Sequence, residues 1–144
     1  MTGPRRLLLA ALTALAASAC AVATEPCPAG GTASVVGSWR YAGIELAPLR
    51  TTLSGTLAVT KQSCGEFTGQ VDLIEVNAQG GTRRLAGPVS GTVIDASSLR
   101  FDAFLEAVPR QHLATLAGDS LAGTWLAVDG AGQTVSGTFG GRRE

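Results

Sequence analysis

The sequence predicts an all-β fold, an eight-stranded antiparallel up-and-down barrel that follows an N-terminal signal peptide. A five-residue pattern, apolar-x-Gly-x-apolar, recurs along the chain, and period 2 places both apolar residues and the glycine on one face of a strand. The links between these segments are short and rich in turn formers, so they cannot make parallel crossovers. The pattern occurs at 35–39, 53–57, 67–71, 85–89, 89–93, 121–125 and 135–139.

Closure of the sheet follows from the glycines and from the strand edges. Glycine inside a strand costs stability, so its repetition indicates a backbone that bends or is closely approached at those points. A flat sheet of sequential strands would leave two unpaired edges, and closure removes both. Eight strands also give an interior just wide enough for side chains or one small ligand.

The pattern and the turns place strands at 35–46, 51–61, 66–77, 82–94, 98–107, 111–117, 120–128 and 133–140. The segment from Leu99 to Val108 also fits helical spacing, and we interpret it as a strand because a turn and Pro109 bound it. Pro88 lies inside the fourth strand and cannot donate to a ladder, so we expect a bulge or break there.

The predicted interior face combines large apolar side chains with glycines. Its members are Trp39, Tyr41, Leu53, Leu57, Val59, Phe67, Val71, Leu73, Leu85, Val89, Val93, Leu99, Phe101, Leu105, Leu121, Trp125, Val135 and Phe139. Inward glycines leave space for a small apolar ligand, or aromatic rings fill that space and the core is solid. The candidate lumen residues are Trp39, Tyr41, Phe67, Phe101, Trp125 and Phe139.

The first 19 residues have the order of a signal peptide. Arg5 and Arg6 precede an apolar run at 7–17, which is shorter than the ~20 residues that span a membrane. The following Ala17-Ser18-Ala19-Cys20 resembles the lipobox of bacterial lipoproteins, which implies cleavage before Cys20 and diacylation of its sulfur. The alternative is ordinary secretory cleavage after Ala19 or at 21–23, which leaves a soluble secreted or periplasmic domain.

The lipobox resemblance implies a domain organisation and an address. Residues 1–19 are the signal peptide, 20–34 the acylated N-terminus and a flexible tether, and 35–144 the barrel domain. Lipid on Cys20 would anchor the protein to the cell membrane or the outer membrane of a bacterium. With Cys20 acylated, Cys27 and Cys64 remain to form a disulfide in an oxidising compartment. The alternative is three unrelated thiols.

Charge and motif content exclude several functions. Without residues 1–19 the chain carries 9 basic and 11 acidic side chains and no basic stripe, so nucleic acid is not an expected partner. The only histidine, His112, is expected to face solvent. Asp102 and Glu106 would lie about 13 Å apart on a strand, too far for a glycosidase pair, and are also expected to face water. We assign no catalytic residue, cofactor or metal site.

Gly37-Ser38-Trp39 on the first strand and the arginines after the last strand resemble the calycin barrels, the lipocalins and avidins. This resemblance implies that Gly37 and Trp39 close one end of the barrel and that Arg142 or Arg143 covers the tryptophan. The residues of 53–57 and 121–125 are similar to avidin strands. The alternative is that Trp39 is only a core residue and that the arginines form a solvated tail.

Two functional hypotheses remain open after these observations. The first is a membrane-tethered barrel that binds a small hydrophobic molecule in the cell envelope. The second is a non-catalytic structural or protein-interaction module of the envelope with a filled core and an unknown protein partner.

Overall fold

The computed structural model describes Cys27 and residues 33–47, 50–106 and 108–144. Eight strands form one closed barrel in which each strand pairs with the next and β1 pairs with β8, so the predicted all-β architecture is confirmed. The strands are β1 (Gly37–Ala47), β2 (Thr51–Ser63), β3 (Glu66–Val76), β4 (Thr82–Val93), β5 (Ser98–Leu105), β6 (Val108–Ala117), β7 (Ser120–Val128) and β8 (Thr134–Arg143).

The predicted signal peptide 1–19, Cys20 and most of the tether at 20–34 lie outside the described residues. In the part of the chain that the structure describes, no helix is long and apolar enough to cross a membrane. We call the end of the barrel where β1 begins and β8 finishes the lower end, and the opposite end the upper end.

The recurring glycines mark the places where neighbouring strands approach most closely. A Cβ atom added at Gly55, Gly69, Gly87, Gly123 or Gly137 would lie under 3.0 Å from the backbone of the adjacent strand, a separation that real Cβ atoms essentially never show. Gly55 also has a φ of +155°, which disfavours an L side chain. These glycines are therefore the bends through which the twisted sheet curls and closes.

Two details of the predicted strands differ from the structure. Residues 98–105 form a strand as predicted. The next strand, predicted to start at residue 111, starts at Val108, which pairs with Leu105. Glu106 has a φ of 51°, so the chain reverses there and Pro109 becomes the second residue of β6. The bulge or break expected at Pro88 occurs on one side only: β3 and β4 stay in register through Gln70 and Pro88 without a bulge, whereas the pairing of β4 with β5 starts at Val89.

The interior face predicted from period 2 is the core of the barrel. All eighteen predicted residues are buried there except Val135, which is partly buried and packs against the rest. Ala103, Ala114, Ala127 and His112 are also buried. The alternation of each strand thus decides which side chains leave water.

The lower end of the barrel is sealed around Trp39. The indole is 0% exposed and its Nε1 donates a hydrogen bond to the Val35 carbonyl at 2.9 Å. The guanidinium of Arg143 lies 4.4 Å from the centre of the Trp39 ring and donates to the Ser34 carbonyl. A Cβ at Gly37 would lie 3.3 Å from Arg143 Nη1, so the glycine makes room for this arginine.

Of the two arginines predicted to cover Trp39, Arg143 makes the contact, and the expectation for Arg142 is wrong. In the register of β1 and β8, Arg143 pairs with Trp39 and shares its inward-facing side, whereas Arg142 pairs with Arg40 and is exposed. Arg142 and Arg143 are neighbours on one strand, so their side chains point to opposite faces of the sheet.

The predicted disulfide between Cys27 and Cys64 is present. Cys64 lies in the turn between β2 and β3 at the lower end. Gln62 beside it holds the segment that contains Val35, because its side chain accepts a hydrogen bond from Val35 N and donates one to the Ala33 carbonyl. A loop of this length, 37 residues, is stabilised by roughly 3 to 4 kcal/mol in the chain-entropy account.

Replacing an inward glycine by alanine tests the role of these bends. We expect Gly123→Ala to lower the free energy of unfolding by about 1 to 3 kcal/mol, because the new methyl group overlaps the Leu113 carbonyl. Urea denaturation measures the loss. The matched control is Gly130→Ala, whose Cβ meets nothing within 4 Å and which should change stability by less than about 0.5 kcal/mol. Equal effects of the two variants would contradict the assignment.

Candidate functional site

A packed aromatic layer fills the middle of the barrel. Phe101 stacks on the imidazole of His112 with ring centres 4.3 Å apart, and Tyr41 stacks on Phe139 at 5.3 Å. Phe139 meets His112 edge-on at 4.9 Å, and Phe67 lies 6.2 Å from Phe101. These rings contact one another, so they leave the middle of the barrel filled.

His112 is buried in this layer, and the prediction that it faces solvent is wrong. It is 2% exposed, because the inward side of β6 is the side of Arg110, His112 and Ala114, whereas Leu113 points outward and is 52% exposed. The Nδ1 atom lies 2.8 Å from the Arg110 carbonyl oxygen, which only accepts, so Nδ1 carries the proton. Nε2 of the neutral ring then accepts from the Tyr41 hydroxyl at 3.2 Å.

Burial decides the protonation of both groups in this pair. Desolvation lowers the pKa of His112 to about 4, and Arg110 nearby also disfavours the imidazolium. Desolvation raises the pKa of Tyr41 above its usual value. Both side chains are therefore neutral at neutral pH, and the pair is a structural hydrogen bond in an apolar layer.

The six candidate lumen residues all lie in the core. Trp39 closes the lower end, Tyr41, Phe67, Phe101 and Phe139 belong to the aromatic layer, and Trp125 lies just above it beneath Arg110. None of these six lines the depression at the upper end of the barrel. The interior below that depression is occupied by their own rings.

A depression of about 440 Å³ lies at the upper end, above the aromatic layer. This volume falls within the usual range of small-molecule sites. Its walls combine apolar and charged groups from all the strands and the adjoining turns. The lining residues are Glu45, Thr51, Glu75, Asn77, Arg83, Leu105, Glu106, Val108, Arg110, Ala127, Asp129, Gly130 and Val135.

Arg110 is the central cation of this depression. Its side chain is 12% exposed, its guanidinium lies 4.7 Å from the centre of the Trp125 ring, and its Nη2 lies 3.7 Å from Glu75 Oε2. Glu75 has a closer partner in Arg83, at 2.9 Å, and Arg83 also binds Glu106 at 2.8 Å. Arg110 is thus held near carboxylate charge but is not in hydrogen-bond contact with Glu75.

Three buried polar atoms near the upper end have no hydrogen-bond partner within the described part of the chain. They are Thr51 Oγ1, Arg110 Nη1 and Trp125 Nε1. Thr51 pairs with Glu45, Glu45 with Gly137 and Gly137 with Trp125, so these positions form one row across four strands. Because buried polar atoms are nearly always paired, this region carries hydrogen-bonding capacity that the described residues leave unused.

The sequence contains a signal for this site that no catalytic motif marks. Continuing the inward alternation beyond Gly43, Leu53 and Leu73 reaches Glu45 on β1, Thr51 on β2 and Glu75 on β3. Arg110 stands at the same level on β6, two residues before His112. All four lie at the upper end, where one face of each strand changes from apolar to polar.

The two carboxylates that were expected to face water, Asp102 and Glu106, are both at least partly exposed. Asp102 is partly exposed and Glu106 is exposed, where it binds Arg83. Among residues 33–47, 50–106 and 108–144 together with Cys27, no three His, Cys, Asp or Glu side chains are grouped to hold a metal ion.

Comparison with known proteins identifies the fold but no family. No protein-family model and no curated protein matches the sequence. Among solved structures, EF1p2_mFAP2b bound to DFHBI superposes with a TM-score of 0.62 at 14% identity, covering 76% of this chain and 93% of that one. The redesigned β-barrel mFAP1 bound to DFHBI has a TM-score of 0.54 at 17% identity, covering 75% and 94%. This chain is therefore similar in fold to fluorescence-activating barrels.

The buried histidine makes a prediction about pH. The unfolded chain protonates His112 near pH 6.5 and the folded chain only near pH 4, so the unfolded state binds more protons between these values. Stability is therefore lost as the pH falls from 6.5 towards 4, by at most about 3 kcal/mol. Urea unfolding at a series of pH values measures this slope.

The His112→Phe variant isolates the contribution of the imidazole. It keeps an aromatic ring beside Phe101 but removes the hydrogen bonds to Tyr41 and to the Arg110 carbonyl, so we expect lower stability at neutral pH. Because it also removes the titrating group, we expect stability to depend less on pH between 4 and 6.5. An unchanged slope in the variant would show that other groups carry the pH dependence.

Proposed function

We propose that this protein is an exported, lipid-anchored, non-catalytic barrel that binds a small ligand in the depression at its upper end. The observation that carries the proposal is the pair of buried polar atoms in that depression, Thr51 Oγ1 and Arg110 Nη1, that have no partner among the described residues. The barrels of similar fold that are bound to DFHBI support the use of this architecture for small ligands. The ligand would lie above the aromatic layer, because the rings of that layer fill the space below.

Two features support the export part of the proposal. The order of residues 1–20 is that of a lipoprotein signal. The Cys27–Cys64 disulfide is the kind of bond that persists in oxidising compartments and is rare in the cytosol. The proposed location is the bacterial cell membrane or outer membrane.

The disulfide also sets an orientation in this proposal. Cys27 is bonded at the lower end of the barrel, and Cys20 is seven residues away, a reach of about 25 Å at most. A lipid on Cys20 would hold the lower end near the membrane. The upper depression would then face the aqueous compartment, where a ligand reaches it.

A second candidate function is a protein-interaction module, and the outer wall of the barrel favours it. Leu113 on β6 and Leu126 and Val128 on β7 are about half exposed, as is Leu46 on β1. The sequence of β7 contains no charged residue. An apolar, uncharged stretch of wall is a surface on which another protein can pack.

The anchor is tested by the mature N-terminus. We expect mass spectrometry of the native protein to find Cys20 as the first residue with a diacylglycerol on its sulfur, and Cys20→Ala to move the protein from the membrane to the soluble fraction. A native mature chain that starts at residue 21 or later, or a Cys20→Ala variant that fractionates like the native protein, would contradict the anchor.

The ligand site is tested by filling it. Ala127→Trp places a large ring in the depression, and Ala122→Trp places the same ring on the exposed outer face as a matched control. In a thermal-shift screen of small neutral and apolar compounds, a ligand at 100 times its Kd should stabilise the native protein and the control by about 2.7 kcal/mol. The Ala127→Trp variant should show no shift. Equal shifts in both variants would place the ligand elsewhere, and no shift for any compound would favour the protein-interaction module.

A further inference from the structure

We propose that the ligand is a neutral molecule that presents a carbonyl-type oxygen to the guanidinium of Arg110. This inference rests on the proposed function. A ketone, amide, ester or quinone has such an oxygen. The proposal excludes two other chemistries for the same depression, a pure hydrocarbon and a carboxylate or phosphate.

The need for an acceptor follows from the donors that are left over. Arg110 Nη1 is buried without a partner, and Nη2 faces Glu75 at 3.7 Å, longer than a hydrogen bond. An N–H group can be satisfied only by an acceptor, and leaving a buried charged donor unpaired is costly. A hydrocarbon would bury these donors further without pairing them.

The need for neutrality follows from the charge around Arg110. The depression is lined by four carboxylates, Glu45, Glu75, Glu106 and Asp129, and by only two guanidinium groups, Arg83 and Arg110. Glu75 lies close enough to Arg110 to offset its charge, and Arg83 already binds both Glu75 and Glu106. An anionic ligand at Arg110 would be repelled by the nearby carboxylate of Glu75, whereas a neutral oxygen accepts the same hydrogen bond without that repulsion.

The rest of the depression fits the body of such a molecule. Leu105, Val108, Ala127 and Val135 give it apolar walls. Thr51 is 7% exposed, and its unpartnered hydroxyl offers a second hydrogen bond to a polar substituent. The guanidinium rests on the Trp125 ring, which fixes its plane before a ligand arrives.

Three fluorescent probes that share one aromatic body separate these chemistries. They are prodan, a neutral naphthyl ketone; dimethylaminonaphthalene, which lacks the ketone; and dimethylaminonaphthoate, which has a carboxylate in its place. We expect prodan to bind the native protein at least ~10-fold more tightly than either of the other two, since a hydrogen bond to a charged donor is worth about one factor of ten or more. Fluorescence titration gives the three Kd values.

Arg110→Met tests the residue itself. Methionine keeps an unbranched apolar chain over Trp125 and removes the donors, so the advantage of prodan over dimethylaminonaphthalene should disappear, a loss of ~10-fold or more. The matched control is Arg84→Met, which makes the same change of charge on the outer wall, where Arg84 pairs with Asp72, and should keep the advantage. Thermal unfolding verifies that each variant is folded. If Arg110→Met does not fold, the three affinities of the native protein still test the proposal.

The outcomes distinguish this inference from the function on which it rests. Equal binding of the ketone and the hydrocarbon would overturn the role of Arg110 and leave a small-molecule site in place. Tightest binding of the naphthoate would overturn neutrality. Failure of all three probes to bind would overturn the proposed ligand-binding function itself.

Discussion

The whole structure depends on close contact between inward glycines and the backbone of the next strand. At Gly55, Gly69, Gly87, Gly123 and Gly137 the space of a side chain is taken by a neighbouring strand. Without side chains at these positions the sheet can curl until β8 meets β1, so every strand is paired on both sides. Closure removes the edges that would otherwise recruit another chain, and it turns one face of each strand into an interior.

Closure also makes the two ends of the barrel different. At the lower end, Trp39, Arg143 and the segment around Val35 form a seal, which the Cys27–Cys64 disulfide adjoins. The middle is filled by rings, among which His112 is kept neutral. At the upper end the inward face also becomes polar, and the unpartnered atoms of Thr51 and Arg110 lie there. A filled core and a binding site are thus compatible, because they occupy different levels.

Much of the fold could be predicted from the sequence, because period 2 and the glycine spacing are local signals that need no knowledge of tertiary contacts. They placed the strands and nearly all of the core, including Val71, Leu85 and Trp125. The choice between Arg142 and Arg143 depended on the register of β8 against β1, which a single strand does not reveal. The orientation of His112 was wrong for a related reason: both faces of β6 mix polar and apolar residues, so its sequence alone does not show that Arg110, His112 and Ala114 face inward.

The candidate site was harder to predict, because its residues are separated in sequence and resemble no motif. Glu45, Thr51, Glu75 and Arg110 come from four strands and meet only when the barrel closes. Each looks like the polar end of a strand when taken alone. What distinguishes Thr51 and Arg110 is a buried polar atom that has no hydrogen-bond partner among the described residues, and this depends on the complete set of neighbours.

The most direct measurement of the central claim is a map of backbone amide chemical shifts during titration of the native protein with prodan. A ligand in the upper depression should perturb the amides of Thr51, Glu75, Arg110 and Ala127 and leave those around Trp39 and Arg143 unchanged. Perturbations concentrated on the outer wall at Leu113 and Leu126, or at the lower end, would contradict a ligand site at the upper end of the barrel.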